Sequence, residues 1–148
     1  MKGNRLLAVG MVGMLLAAAA CSPTADASPA REASIEVTAD QFADTNQVVR
    51  EVELAEGGTL TVTLGSNPST GFSWPELAPI GDETVLRQTG GGGFAEANGE
   101  ELVGAPGVQE WTFEALKKGT TTMHMDYSRP WEGGEKGVWT FDLTVTVK

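Results

Sequence analysis

Hydrophobic and polar residues alternate with a period of two through most of the chain after residue 33. The pattern is clearest in "TLTVTLG" (59–65), where Leu60, Val62 and Leu64 share one face and the threonines share the other. Such alternation predicts β-strands with one buried face. The remaining predicted strands are 34–39, 48–54, a strand starting at 71–74, a weak strand at 84–89, and 109–115, 121–127 and 138–147.

Turn residues separate these segments, and no stretch of useful length after residue 33 has helical periodicity. "EGG" (56–58), for example, predicts a turn between the strands on either side of it. We therefore expect an all-β domain over residues 34–148, with the architecture of an immunoglobulin-like antiparallel β-sandwich of about seven strands. Its aromatic core should include Trp111, Phe113, Trp139 and Phe141, which alternate along their strands.

Residues 1–20 differ in pattern from the rest of the chain. Lys2 and Arg5 precede a run of apolar and small residues that ends in "LLAAAACS", as in a secretory signal peptide of lipoprotein type. Cys21, the single cysteine of the chain, follows directly, so we expect it to be lipidated. Ala18 stands where a lipoprotein signal usually has leucine, and ordinary cleavage after Ala20 is the alternative.

Residues 21–33 are rich in Ser, Pro and Ala and predict a flexible tether between the lipidated Cys21 and the domain. The expected location is therefore the cell envelope, with an exported protein anchored by lipid to a bacterial membrane.

The formal charge is −10, and −12 without Lys2 and Arg5, which argues against binding to nucleic acid. The same charge argues against electrostatic docking on anionic lipid, so the membrane is reached only through the anchor.

The sequence lacks the residue patterns that are typical of an enzyme active site. His124 is the only histidine, and it lies on the face of its strand opposite Met123 and Met125. After Cys21 no thiol remains to act as a nucleophile or metal ligand. The carboxylates lack the spacing of a glycosidase pair or a calcium loop, and "GGGG" (90–93) is not followed by the residues of a phosphate loop. We expect no enzyme, no metal and no cofactor.

The connectors between strands predict where a binding surface lies. Successive loops of an antiparallel chain alternate between its two ends, which places three conspicuous segments at the same end: the first loop "SNPSTG" (66–71), the second loop (90–108) and the third loop "SRPWEGGEKG" (128–137). Loops at one end of a sandwich commonly bind ligands. Trp131 lies at the tip of the third loop. It either contacts a partner there or folds back as a lid over the sandwich.

The order of these loops resembles the chagasin-type family of inhibitors of papain-like cysteine peptidases. That family has an Asn-Pro-Thr-Thr-Gly loop before an aromatic strand, a Gly-x-Gly-Gly loop and an Arg-Pro-Trp/Phe loop on an immunoglobulin-like fold. The corresponding residues here are Asn67, Pro68, Ser69, Thr70 and Gly71, followed by Phe72 and Trp74; Gly104, Ala105, Pro106 and Gly107; and Arg129, Pro130 and Trp131. The resemblance covers roughly residues 34–148.

The resemblance implies reversible, non-covalent inhibition in which the three loops occlude the active-site cleft of a papain-like cysteine peptidase. Thr70 would lie closest to the catalytic cysteine, residues 104–107 along the non-primed side, and Trp131 on the primed side. Two positions depart from the family pattern. Ser69 replaces a threonine, and Pro106 replaces a glycine and removes a backbone N–H donor.

A second function remains open at this point. The same loops could serve an envelope lipoprotein as a non-inhibitory binding module for a peptide, glycan or partner domain. With either function we expect a monomer. Inhibition of papain distinguishes this alternative from the inhibitor.

Overall fold

A computed structural model describes residues 28–96 and 106–148. The predicted signal peptide, Cys21, Gly104 and Ala105 lie outside these ranges. The elements are β1 (Ala30–Val37), α1 (Ala39–Thr45), β2 (Gln47–Ser66), a 3₁₀ turn (Pro68–Thr70), β3 (Leu86–Glu96), β4 (Gly107–Ala115), β5 (Gly119–Tyr127) and β6 (Trp139–Val147). In the described ranges no helix is long and apolar enough to cross a membrane.

Strand β2 reverses its direction and thereby creates two layers. Its first residue, Gln47, pairs with Thr140 at the start of β6. Just beyond its last residue, the backbone N–H of Asn67 donates to the hydroxyl of Tyr127, which is paired with Trp139. Both ends of β2 therefore lie near the start of β6, although a straight 20-residue strand would separate its ends by roughly 65 Å.

The reversal falls at residues 55–58, where the sequence predicts a turn. Gly57 has φ +79°, a conformation that favours glycine. A Cβ at Gly58 would lie 2.8 Å from the carbonyl oxygen of Ala55, so a larger residue does not fit there. The predicted strands 48–54 and 59–65 thus form the two arms of one continuous strand. Counted separately, these arms bring the total to seven strands.

The two arms of β2 belong to different layers of the sandwich. Residues 47–54 pair with β6, which pairs with β5. Residues 59–66 pair with β4 and β1, and β4 pairs with β3. The immunoglobulin-like all-β fold is confirmed, although two of these pairings, β1 with β2 and β2 with β6, are parallel.

The predicted alternating faces form the core between the layers. The side chains of Leu60, Val62 and Leu64 are fully buried, as are those of Trp111 and Phe113. On β5 and β6 the inward residues are Met123, Met125, Tyr127, Phe141, Leu143, Val145 and Val147. Trp139 is half-buried at the top of β6.

Three elements differ from the sequence-based prediction. Helix α1 forms over seven residues, with a capping box between Thr38 and Gln41 and a buried Phe42, and it is too short to display a helical period. Strand β1 begins at Ala30, four residues before the predicted start of the domain. The segment 71–74 forms no strand but a single bridge between Ser73 and Ser128, because Pro75 follows at once.

The described part of the predicted second loop is also largely strand. β3 runs through the glycine run to Glu96, which pairs with Gly107 at the start of β4. The register shifts twice within this pairing, and Gly91 and Gly92 have φ of +85° and +92°. Glycine disfavours regular strands but allows bulges and close backbone approach. A Cβ at Gly91 would lie 2.1 Å from the carbonyl oxygen of Glu110, so the run is shaped by packing.

Candidate functional site

The first loop is held in shape by its own hydrogen bonds. The side-chain oxygen of Asn67 accepts from the backbone N–H and the hydroxyl of Ser69, at 3.2 and 2.6 Å. The hydroxyl of Thr70 donates to the carbonyl oxygen of Asn67 at 2.6 Å. Pro68 begins the 3₁₀ turn and Gly71 ends it with φ +81°. Because Pro68, Ser69 and Thr70 are all exposed, this fixed backbone projects into solvent.

Buried side chains fix both ends of the first loop. Tyr127 accepts the backbone N–H of Asn67 at 2.7 Å. Gln109, which is only 4% exposed, accepts from the hydroxyl of Ser66 and from the backbone N–H of Trp74, and it donates to the carbonyl oxygens of Trp74 and Gly92. A single amide thus joins the chain before the loop, the chain after it and strand β3.

The third loop also has an internal frame. The backbone N–H of Arg129 donates to the carbonyl oxygen of Glu135 at 2.8 Å, and that of Gly134 donates to Trp131 at 3.1 Å. The ammonium group of Lys136 donates to the carbonyl oxygens of Arg129 and Trp131. These bonds close the segment 129–136 on itself and hold its tip away from the sheet.

Arg129 connects the third loop to the first. Its Nε and Nη2 both donate to the carbonyl oxygen of Thr70 at 3.3 Å. The guanidinium carbon lies 4.4 Å from the centre of the Phe72 ring and 6.0 Å from that of Trp131, within the range of cation–π attraction. Arg129 therefore acts within the site, as a bridge between two of the predicted loops.

Trp131 projects as a tip residue. Its side chain is 51% exposed, and its ring rests against Gly71, where an added Cβ would lie 2.5 Å from Cη2. The lid alternative is therefore wrong for Trp131. Pro130 is exposed beside it. Gly71 thus serves the site twice, through its positive φ and through the space it leaves for the indole.

The second loop is only partly described. Pro106 is exposed, and Gly107 is buried as the first residue of β4, where it pairs with Ser66 and Glu96. Pro106 lines an open pocket of about 460 Å³ together with residues of the first and third loops. Its other lining residues are Ala39, Asn67, Thr70, Phe72, Tyr127, Glu135, Val138 and Trp139. Pro106 of the second loop therefore lies beside the first and third loops at one end of the sandwich.

An aromatic stack supports this end from below. The ring of Tyr127 lies 5.5 Å from Phe72, 5.0 Å from Trp74 and 4.8 Å from Trp139, measured between centroids. Phe42 of α1 completes the stack against Trp74 and Trp139. Aromatic rings in tilted or offset contact add stability beyond the area they bury. The loops therefore rest on a rigid base.

The exposed face of β5 and β6 carries a separate charged cluster. Nδ1 of His124 lies 2.5 Å from Asp142, and Nε2 lies 3.1 Å from Asp126. The hydrogen bond to Asp142 raises the pKa of His124. Desolvation would raise the pKa of Asp142, but hydrogen bonds from His124 and Gln47 outweigh it and lower that pKa. Among the described residues no group of acidic, His or Cys side chains could hold a metal ion.

The supporting residues of the site were not predicted from the sequence pattern. Gln109 begins the predicted strand 109–115, on the same face as Trp111 and Phe113. A polar side chain on this core face indicates buried hydrogen-bond partners. Tyr127 is buried at the end of the predicted strand 121–127, and its hydroxyl also holds the first loop. Arg129 was assigned to the third loop alone.

The chain is similar to known proteins in sequence and in fold. The sequence model of the chagasin family peptidase inhibitors (I42) matches residues 53–145. Amoebiasin-2 of Entamoeba histolytica is 33% identical over 89 residues, which are 60% of this chain and 70% of that protein.

Solved structures with this fold include the cysteine protease inhibitor EhICP2 from Entamoeba histolytica. It aligns with a TM-score of 0.60 and 24% identity over 79% of this chain and 97% of its own. PbICP-C, solved in complex with falcipain-2, aligns with a TM-score of 0.54 and 19% identity over 78% of this chain and 98% of its own.

Proposed function

Because the chain belongs to the chagasin family of peptidase inhibitors, we propose that it inhibits papain-like cysteine peptidases by inserting the loop end of the sandwich into the active-site cleft. Like the other members of its family, the chain is an inhibitor and not an enzyme. The proposed action is reversible and non-covalent, by a monomer. PbICP-C, which shares the fold, was solved in complex with falcipain-2.

The observation that carries the proposal is the bridge from Arg129 to Thr70. This contact holds residues 67–71 of the first loop, here called the wedge, beside the exposed indole of Trp131 on the third loop. Surfaces that are rigid before binding lose little conformational entropy when they bind, which favours tight complexes. The wedge presents the backbone and small side chains of Pro68, Ser69 and Thr70 to the cleft.

Each loop has a distinct role in the proposed complex. Thr70 lies over the catalytic cysteine, and the 3₁₀ turn around it keeps its peptide bonds out of the extended geometry that peptidases cleave. Trp131 covers apolar surface on the primed side of the cleft. Residues 104–107 lie along the non-primed side, where Pro106 offers no N–H for a backbone hydrogen bond.

Inhibition kinetics test this function. Papain assayed with a fluorogenic peptide should be inhibited competitively by the purified protein, and activity should return on dilution. Papain whose cysteine carries a methylthio group should still bind, because no covalent bond forms. Trypsin, a serine peptidase, should be unaffected. Full activity of several papain-like peptidases at micromolar inhibitor would contradict the proposal and favour the non-inhibitory binding module.

We propose in addition that Cys21 carries a lipid that anchors the exported protein in the cell envelope. The support is the sequence "LLAAAACS", which follows a positively charged start. A diacylglyceryl group with further acylation would hold the domain firmly, whereas a single chain binds marginally. Metabolic labelling with a fatty-acid probe should depend on Cys21, and equal labelling of Cys21→Ala would contradict the anchor.

A further inference from the structure

The large exposed hydrophobic side chains of the described residues are Val49, Leu77, Phe94 and Trp131. Two of them are aromatic, Phe94 at 40% and Trp131 at 51% exposure. Trp131 follows β5, and Phe94 lies near the end of β3. Aromatic residues are enriched at the centres of protein interfaces, so an exposed phenylalanine beside the loop end requires an explanation.

Phe94 lies close to the proposed wedge. Glu96 pairs with Gly107, and Gly107 pairs with Ser66, so the ends of β3, β4 and β2 form one row. With about 4.8 Å between neighbouring strands, the end of β3 lies roughly 10 Å from the start of the first loop. Phe94 is two residues below that row, opposite Gln109.

The ring of Phe94 is seated on Gly107. A Cβ at Gly107 would lie 2.5 Å from the carbonyl oxygen of Ala95, 2.5 Å from Cζ of the ring and 2.6 Å from its Cε2, so the glycine leaves room for both the β3 backbone and the ring. The ring therefore turns toward the loop end and packs against the first residue of β4 instead of projecting freely. An aromatic ring that is already held in place loses little side-chain entropy on binding.

We propose that Phe94 is a further contact of the peptidase-binding surface. The proposal rests on the inhibitory function proposed above. A standard interface buries about 800 Å² on each partner and is about 30 Å across, so one centred on the first loop includes Phe94. Its partner on the peptidase is apolar surface at the rim of the cleft, on the side reached by residues 104–107.

Close packing against Phe94 and the backbone of β3 explains the glycine at position 107 without a direct bond to the peptidase. The resemblance assigns Gly107 to the binding loop, but the structure buries it in the β4 pairing. Its absent side chain gives Phe94 its seat. Phe94 lies outside all three recognised motifs, on a strand whose glycine run reads as a loop.

Inhibition constants for papain test the proposal, with Phe94→Ala compared with wild type. The matched control is Leu77→Ala, because Leu77 is 80% exposed and lies beside Leu116 and Thr84, toward the other end of the molecule. Phe94→Ala should raise the inhibition constant about tenfold, and Phe94→Leu should raise it less. Leu77→Ala should leave it unchanged, and circular dichroism should show the same fold for all variants.

The outcomes separate this proposal from the proposed function. Wild-type inhibition weakened by Trp131→Ala but not by Phe94→Ala would overturn the role of Phe94 and leave the inhibitory function standing. An equal loss in Leu77→Ala and Phe94→Ala would also overturn it, because the effect would not depend on the loop end. Absence of inhibition by the wild type would overturn both.

Discussion

The guanidinium group of Arg129 donates two hydrogen bonds to the carbonyl oxygen of Thr70, and this contact joins the third loop to the first. Both donors lie 3.3 Å from the same oxygen, while the guanidinium plane is attracted to Phe72. The two segments are 59 residues apart in the chain. The contact therefore makes one rigid surface out of two loops.

Removing the contact between Arg129 and Thr70 should weaken peptidase inhibition and have a smaller effect on the stability of the fold. Arg129→Ala should raise the inhibition constant for papain about tenfold, because the wedge must then be ordered during binding. Hydrogen exchange at the amides of Thr70 and Gly71 should become faster in the variant. Arg129→Lys keeps the charge but lacks the planar fork, and we expect an intermediate effect. Weaker inhibition with unchanged exchange would instead indicate that Arg129 contacts the peptidase directly.

Trp131 should contribute to binding and little to stability. Its indole is half exposed, unlike the fully buried Trp111. Truncation of an interface tryptophan typically costs about 2 kcal/mol, so Trp131→Ala should raise the inhibition constant about thirtyfold. Trp111→Ala should cost about 3–5 kcal/mol of stability, as a large core truncation does. A comparable loss of thermal stability in both variants would contradict a tip role for Trp131.

Gln109 should be essential for stability, although it is polar. Gln109→Leu has a similar volume but leaves the buried backbone N–H of Trp74 without its acceptor. We expect a loss on the order of 3 kcal/mol in urea unfolding, because unpaired buried polar groups are costly. Glu110→Leu is the control, since Glu110 is the next residue on the exposed face. Equal stability of the two variants would contradict the role of Gln109.

The sequence predicted the core and the meeting of the loops because both depend on local pattern. Alternation along 59–65 and 109–115 identifies which side chains face inward. The motifs at 67–71 and 129–131 lie in connectors between strands, and the alternation of successive connectors between the two ends places both motifs at the same end.

The sequence could not reveal contacts that depend on distant residues. The bridge from Arg129 to Thr70 and the bonds of Gln109 to Trp74 join segments that the fold brings together. The glycine run in β3 was read as a loop because glycine is rare in regular strands, whereas tight packing against Glu110 and Glu76 requires it. Local propensity cannot anticipate such packing.

The cluster around His124 should make stability depend on pH. The folded-state pKa of His124 is raised, so its contribution is fully present below the ordinary pKa of about 6.5 and is lost as pH rises through the folded value. The pKa of Asp142 is lowered, so its contribution is lost as pH falls below about 3.8. The pair should therefore stabilise most between about pH 4 and 6.5.

Urea unfolding at pH 5.5 and pH 8.5 (roughly a unit below and two units above the ordinary value) measures this effect. The free energy of unfolding should fall more between these two pH values in the wild type than in His124→Asn. Because the chain has one histidine, its NMR titration is unambiguous, and Asp142→Asn should lower the observed pKa of His124. An unchanged pKa in that variant would show that Asp142 is not the cause.

Substitutions of Thr70 show whether the first loop enters the cleft of the peptidase. Thr70→Ser keeps the hydroxyl that donates to Asn67 and should retain inhibition. Thr59→Arg is the control, because Thr59 is an exposed threonine beside the reversal of β2, at the opposite end of the sandwich.

The deciding measurement is the inhibition constant of Thr70→Arg for papain beside those of wild type, Thr70→Ser and Thr59→Arg. We expect Thr70→Arg to raise the inhibition constant at least about a hundredfold, roughly 2.7 kcal/mol, with its unfolding temperature little changed, while the other two variants inhibit like wild type. Inhibition by Thr70→Arg equal to that of wild type would contradict entry of the first loop into the cleft.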